Sequence, residues 1–245
     1  MRVELEMELR QLGTVRAPRT LYPRVMAGVG LVDSFAPLDT ALGPAFVAWN
    51  LHGVSAVRRG RDEGEFERWF EDEYGRPVVR AASLPRGLGR HFDLRGVPAF
   101  YRAVLMKARE IPAGQVRPYG WIAREIGHPA AVRAVGTALA KNPIPILIPC
   151  HRVVRTDGQI GNYGAGGPAA KREILEFEGV DTERLEVLAR RGVRYHGSDT
   201  THVYCFPTCR HARRVTDRHL VEFGTEQEAR RAGYRPCKDC RPAAA

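Results

Sequence analysis

Four of the five cysteines lie near the end of the chain, as Cys205-x3-Cys209, then 27 residues, then Cys237-x2-Cys240. This spacing constrains the fold most. Four thiols so arranged are the ligand set of a tetrahedral zinc ion. A segment of about fifty residues buries too little core to fold unaided, so the metal would supply the missing free energy. A redox Cys-x-x-Cys would leave the first pair unexplained. The chain therefore divides into a small four-cysteine zinc module, residues 192–245, and everything before it. One zinc and no organic cofactor are expected.

The fifth cysteine stands alone in Ile146-Leu147-Ile148-Pro149-Cys150-His151-Arg152-Val153. A histidine follows it, and Arg152 and Arg155 are close in sequence. Imidazole and positive charge favour the thiolate, which is the nucleophilic form. A buried, inert cysteine is the alternative.

Lysine and arginine number 38 against 28 acidic residues, a net charge of +10. Arginine predominates. Such an excess points to a polyanion, most simply nucleic acid. The plainer reading is a basic surface in which arginine replaces lysine throughout. The segment Met1–Gly13 is charged and lacks an apolar core, and no run of ~18 apolar residues occurs. Secretion and membrane insertion are not expected, and a cytoplasmic location keeps the thiols reduced.

Ala45–Asn50 and Val54–Val57 read as two strands around a turn at His52-Gly53. Gly64–Tyr74 places Phe66, Trp69 and Phe70 at helical spacing, a core-facing stripe. Arg80–Gly89 reads as a loop, and Phe92 with Leu94 as a further short strand. Residues 1–95 thus form a small α/β unit. Pro98–Ile111 reads as a helix with Phe100, Val104, Leu105 and Ala108 on its apolar side. Pro118–Gly127 and Pro129–Lys141 read as two helices around a glycine-containing turn, the helix-turn-helix pattern; an ordinary helical hairpin is the alternative. The second helix is rich in small residues, Ala134 and Gly136 among them. Its smooth face, with Arg133 projecting, suits close approach to a groove floor. Asn142-Pro143-Ile144-Pro145 predicts an extended lead into Cys150, continued over Val153–Arg155. Gly158–Gly167 is a glycine-rich loop suited to border a pocket, without the lysine spacing of a phosphate cradle. Pro168–Glu178 is the last helix of this unit, residues 96–181.

The run Ile144–Val153, followed by Gly161-Asn162-Tyr163, resembles the active-site signature of O6-alkylguanine–DNA alkyltransferases. The resemblance covers approximately residues 40–180 and is strongest over 98–180. It implies an N-terminal α/β subdomain plus a helical C-terminal subdomain with a helix-turn-helix, in agreement with the elements above. It also implies a protein that binds double-stranded DNA at the minor groove and flips out the alkylated guanine. The alkyl group then passes irreversibly to the cysteine, with O4-alkylthymine as a further substrate. Cys150 matches the acceptor, His151 the histidine that withdraws its proton through a water, and Glu178 the carboxylate that orients the histidine. Tyr119 matches the tyrosine that donates to the departing guanine. Arg133 matches the arginine that fills the gap left by the flipped base. Asn142 matches the asparagine that braces the active site. Tyr163 lines the alkyl pocket, with Pro145, Gly164 and Ala165. Gly164 stands where several relatives carry a serine that contacts guanine O6. Ala165 leaves the pocket roomy, so alkyl groups larger than methyl are expected to be accepted.

Thr200–Arg210 with Gly233–Cys240 resembles the metal-binding domain of Ada-type adaptive-response proteins, over about 195–242. This implies zinc on Cys205, Cys209, Cys237 and Cys240. It also implies Cys205 as a second methyl acceptor, taking a methyl group from a phosphotriester, with DNA contacts from Thr201 and Arg235. Phe206 replaces a more typical arginine, and the arginines after Cys209 are displaced. No further helix-turn-helix region follows up to Ala245, which argues against transcriptional activation. A structural or DNA-docking module and a phosphotriester-accepting one are therefore weighed equally.

The expectation is a monomeric, direct-reversal DNA repair protein. The alternatives are a protein that flags alkylation damage without transfer, and a damage-sensing regulator centred on Cys205. Relatives of the flagging kind carry tryptophan at the cysteine position, and Cys150 argues against that class.

Overall fold

The hairpin read around His52-Gly53 forms from β2 (Gly43–Asn50) and β3 (Gly53–Arg59). The computed structural model describes residues 21–242, so Met1–Gly13 and the last three residues of the zinc module lie outside it. A helix, α1 (Leu21–Gly28), precedes β1 (Asp33–Thr40); with β4 (Val78–Arg80) the sheet has the order β3-β2-β1-β4. β1 is antiparallel to β2 and parallel to β4. Alternation sorts the side chains onto two covered faces. Phe46 and Ala48 of β2 join Phe35, Ala56, Phe66 and Phe70 on one side. Ala45 and Val47 join Val104, Leu105 and Ala108 on the other.

The aromatic stripe belongs to α2 (Glu63–Tyr74). Its first turn is closed by the Asp62 carboxylate, which accepts from the Glu65 N–H at 2.7 Å, and its end by Gly75 in the left-handed region. The strand expected at Phe92 and Leu94 is instead a single bridge between Val54 and Phe92. That bridge crosses the hairpin turn so tightly that a Cβ on Gly53, at φ +125, would lie 2.4 Å from the His91 carbonyl oxygen. Gly53→Ala is expected to lower stability by about 2–3 kcal/mol. Urea unfolding should show a lower midpoint at unchanged slope.

The helical unit holds α3 (Ala99–Arg109), α4 (Tyr119–Glu125), α5 (Val132–Ala140) and α6 (Gly167–Phe177), and α7 (Thr182–Arg190) follows it. Helices α4 and α5 form the helix-turn-helix. Helix α5 starts at Val132, not at Pro129, because Pro129-Ala130-Ala131 closes a turn in which the Ala131 N–H donates to the His128 carbonyl at 2.9 Å. The stretch expected to lead extended into Cys150 is a chain of turns. Ile146 has φ +73, and the Ile148 N–H donates to the Ile144 carbonyl at 2.9 Å. Short parallel strands β5 (Arg117–Pro118) and β6 (Val153–Val154) tie the start of α4 to the segment after Cys150.

The last unit is a second four-stranded sheet, β7 (Tyr195–Ser198), β8 (Val203–Cys205), β9 (Leu220–Phe223) and β10 (Arg235–Pro236), in the order β10-β8-β7-β9. Helix α8 (Glu226–Arg231) opens on a capping box of Thr225 and Glu228. Its own core is small: Tyr204, Phe223, Ala229 and Tyr234. The four cysteines and Phe206 belong instead to the large cluster that contains Trp121 and Ile122 of α4. Among the described residues no helix is long and apolar enough to cross a membrane.

Candidate active site and metal centre

Cys150 opens a single 3-10 turn, Cys150–Arg152, directly before β6. The turn sends successive side chains in different directions. The Asn142 amide donates to the Cys150 sulfur at 3.1 Å and to the Ile148 carbonyl at 2.9 Å, and its oxygen accepts from the Ile144 N–H at 3.0 Å. Asn142 thus pins both ends of the turns that carry the thiol.

The expectation that Arg152 and Arg155 favour the thiolate is corrected. Burial raises the Cys150 pKa above its ordinary value, and it outweighs the Asn142 hydrogen bond and the charge of Lys171. Arg155 pairs with Asp157 and Arg152 with Glu178. The cation that acts on Cys150 is Lys171 of α6, wholly buried, its ammonium donating to the Val153 carbonyl at 2.6 Å and the Asn162 carbonyl at 3.2 Å. Burial lowers its pKa to about 8 against the pull of Cys150. Sequence reasoning misses Lys171, though it shares a helical stripe with Ile174, Leu175 and Glu178.

His151 is also wholly buried, with Nε2 3.0 Å from Glu178 Oε1. Burial lowers its pKa despite Glu178, so the ring is neutral near pH 7. Burial alone would raise Glu178, but hydrogen bonds from His151 and Arg152 win and hold it at about 2. An ionised carboxylate only accepts, so the imidazole proton sits on Nε2. Nδ1 has no hydrogen-bond partner among the described residues and keeps its lone pair. Arg152 fixes the carboxylate through Nη2 at 2.7 Å and Nε at 2.9 Å, and also donates to the Ile111 carbonyl at 2.6 Å. The Gly114 N–H donates to Glu178 at 3.3 Å.

Tyr163 is buried and meets His151 edge-on, with ring centroids 6.0 Å apart. Tyr119, at the start of α4, has the Lys171 ammonium 5.9 Å from its ring. A Cβ on Gly136 would stand 3.9 Å from Tyr119, so α5 runs close past it. A cavity of 1220 Å³ brings Cys150 together with Asn142, Pro145, Gly164 and Ala165. A Cβ on Gly164 would sit 3.0 Å from the Ala140 carbonyl oxygen, so a side chain there crowds the end of α5. Arg59 of β3 carries no sequence signal for the part it plays. It donates to the Ala165 carbonyl at 3.1 Å and the Leu42 carbonyl at 2.7 Å, fastening the pocket loop to the sheet.

Arg133 and Ala134 are exposed on α5 while Val135, Ala138 and Leu139 face the core. Arg133 has no ion-pair partner among the described residues. Thr201 and Arg235 are exposed at one edge of the second sheet, where the Arg235 N–H donates to the His202 carbonyl at 2.9 Å.

The sulfurs of Cys205, Cys209, Cys237 and Cys240 all lie within 4.8 Å of one another, each buried. Four sulfurs held this close repel one another once they are ionised. A divalent ion relieves that repulsion, and an all-sulfur tetrahedral set fits zinc.

Two family models match: "6-O-methylguanine DNA methyltransferase, DNA binding domain" over residues 99–180 and "Metal binding domain of Ada" over 189–243. A methylated-DNA–protein-cysteine methyltransferase of Methanosarcina acetivorans is 35% identical over 153 residues, 59% of this chain and 97% of that protein. The rat protein of the same name is 48% identical over 116 residues, 46% of this chain and 54% of the rat protein. The Escherichia coli bifunctional transcriptional activator/DNA repair enzyme Ada is 35% identical over 175 residues, 64% of this chain and 48% of Ada. The chain thus spans about half the length of the rat and Escherichia coli relatives.

Proposed function

Because the chain belongs to the methylated-DNA–protein-cysteine methyltransferase family, we propose that it repairs DNA by moving the alkyl group of O6-alkylguanine irreversibly onto Cys150. The observation that carries this reading is the buried relay. A thiol held by Asn142 is followed by a neutral His151 whose proton-bearing nitrogen faces Glu178 and whose other nitrogen is free.

In this reading the damaged base swings out of the duplex into the cavity beside Cys150, which is easiest for a poorly paired base. Arg133 enters the minor groove and fills the gap, and the small residues Ala134 and Gly136 let α5 come close. His151 Nδ1 takes the Cys150 proton through a bridging water. The sulfur attacks the alkyl carbon in line, the S–C bond forms and the C–O6 bond breaks. The electron pair stays on the purine, which takes up one proton in place of the one Cys150 gave. Tyr119 donates a hydrogen bond to the departing purine, and Tyr163, Pro145, Gly164 and Ala165 shape the alkyl pocket. Lys171 offsets the thiolate charge. The roomy pocket suits groups larger than methyl and admits O4-alkylthymine. The protein acts as a monomer, once per molecule, on double-stranded DNA in the reducing cytoplasm. Residues 1–95, 96–181 and 192–245 are its three units, α7 linking the last two. Thr201 and Arg235 add phosphate contacts, so affinity falls with salt.

Peptide mass spectrometry after incubation with a duplex carrying O6-methylguanine tests this. One methyl group on the Cys150 peptide is expected. Tight lesion binding with no adduct would replace the repair reading by damage flagging.

The pH profile is a second check. His151 must be neutral, so its limb lies below the ordinary 6.5. Lys171 must be charged, and it loses its proton through about 8. Single-turnover transfer at saturating DNA should be level near neutrality and fall above pH 8, and Lys171→Met should lack the fall. The stability effect has the opposite sign. The folded pKa of Lys171 lies below its ordinary 10.5, so between 8 and 10.5 the folded chain binds fewer protons than the unfolded one. Relative to the methionine variant, the wild type should therefore gain about 3 kcal/mol across that window. A profile identical in both proteins would remove Lys171 from the mechanism.

A further inference from the structure

Arg117 is 3% exposed, yet no carboxylate pairs with it among the described residues. Its hydrogen bonds go to neutral acceptors, the Val116 carbonyl at 2.8 Å and the Gln115 side-chain oxygen at 2.6 Å. A buried guanidinium without an anion is strongly disfavoured. Arg117 and Cys209 line one cavity of 390 Å³ between the helical unit and the zinc module, with Trp121 and Asp239. The guanidinium lies 5.3 Å from the centre of the Phe206 ring, beside Cys205, and 5.8 Å from that of Trp121.

The segment that carries the first two cysteines is fastened to the stretch just before Arg117. The Val116 N–H donates to the Thr208 hydroxyl at 3.0 Å, and Arg213 donates to the Gly114 carbonyl. On the other side of the centre, Arg124 donates to the Pro242 carbonyl at 2.9 Å, and Arg241 pairs with Glu125 of α4 at 2.8 Å. Cys205 is 3% exposed within this arrangement.

We infer that Arg117 is the counter-cation of the four-cysteine zinc centre, and that it seats the centre against the helical unit with Cys205 closed to DNA. Four thiolates around a divalent ion carry a net charge near −2. One guanidinium removes part of that excess, steadies the thiolates as ligands and makes the sulfurs less nucleophilic. A phosphotriester methyl carbon would need an in-line path to the Cys205 sulfur, and that residue is 3% exposed while the units are joined. The centre is then a fastening between units, and Cys205 is a ligand only. The inference does not depend on alkyl transfer at Cys150.

The test uses the full-length zinc-loaded chain. Zinc release to the chromogenic chelator 4-(2-pyridylazo)resorcinol should be about tenfold faster in Arg117→Gln than in wild type, the size of effect expected for a group just outside the ligand shell. Arg117→Lys, which keeps the charge, should fall between them. Equal release rates in all three would overturn the inference. In a second arm, wild-type protein is incubated with duplex DNA carrying methyl phosphotriesters and no base damage. An unmodified Cys205 peptide is expected. Methyl transfer to Cys205 would overturn the inference, and this arm holds even where a variant does not fold.

Discussion

Replacing Glu178 by glutamine is expected to slow transfer to Cys150 by about 10⁴-fold, the scale seen when the orienter of a nucleophile–base pair is lost. Glu178 sets the tautomer. As a carboxylate it accepts from His151 Nε2 at 3.0 Å, which leaves Nδ1 as the acceptor. A glutamine can turn its NH2 toward the ring, moving the proton to Nδ1 and removing the base. The substitution also strands Arg152, whose guanidinium makes two of its closest contacts with Glu178 and is 16% exposed. An almost buried charge without its partner costs about 3 kcal/mol. The two effects separate experimentally. Lesion binding should stay within a few-fold of wild type in a mobility-shift assay while single-turnover rates collapse. Acid unfolding reads the second effect. Glu178 has a folded pKa of about 2 against an ordinary 4.5, so its contribution is present above 4.5 and lost as pH falls toward 2. The variant should lack that loss. Transfer within tenfold of wild type would remove Glu178 from the relay.

The same turn shows why some of the site was legible in sequence and some was not. Pro149-Cys150-His151-Arg152 marks the nucleophile, but a 3-10 turn fans its side chains apart. Arg152, two residues from Cys150, therefore serves Glu178, while the cation near the sulfur is Lys171 of α6. Linear proximity gave the wrong cation and the wrong sign for the thiol. Glu178 could be placed with His151 only through the family resemblance, since the two are 27 residues apart. The sheet was half legible. The β2–β3 hairpin shows a turn between apolar runs, whereas Asp33, Pro37 and Asp39 disguise β1. Structurally Pro37 is harmless. β4 pairs only with Asp33–Phe35, so the proline lies beyond its end and no ladder partner is lost. Helix α7 fell between the two units read from sequence, although Asp181 caps it and Leu185 and Leu188 are buried in it. The four zinc ligands were fully legible, because metal chemistry fixes ligand type and spacing before any packing is known.

Replacing Cys240 by serine is expected to empty the metal centre and unfold the last unit of the chain. Cys240 is wholly buried among the other three sulfurs, where a serine hydroxyl keeps its proton near pH 7 and is a poor zinc ligand. The loss is large because little else holds the unit. Its sheet is built of two- to four-residue strands, and its own apolar cluster is Tyr204, Phe223, Ala229 and Tyr234. Structural zinc contributes on the order of 10 kcal/mol to modules of this size, more than so small a core supplies. The damage should not stop at residue 192. Losing the cysteine cluster leaves Arg117 as a buried charge without an anion, on the short strand that leads into Tyr119 and pairs with the segment after Cys150. Bound zinc should fall from one per chain to near zero by atomic absorption. Hydrogen exchange should rise throughout the last sheet and, less strongly, over β5, β6 and the start of α4, while the sheet of the first unit stays protected. Stoichiometric zinc with unchanged exchange in Cys240→Ser would show that three thiols suffice. Exchange that rises only beyond residue 192 would confine the metal's influence to its own unit and leave the active-site strands independent of it.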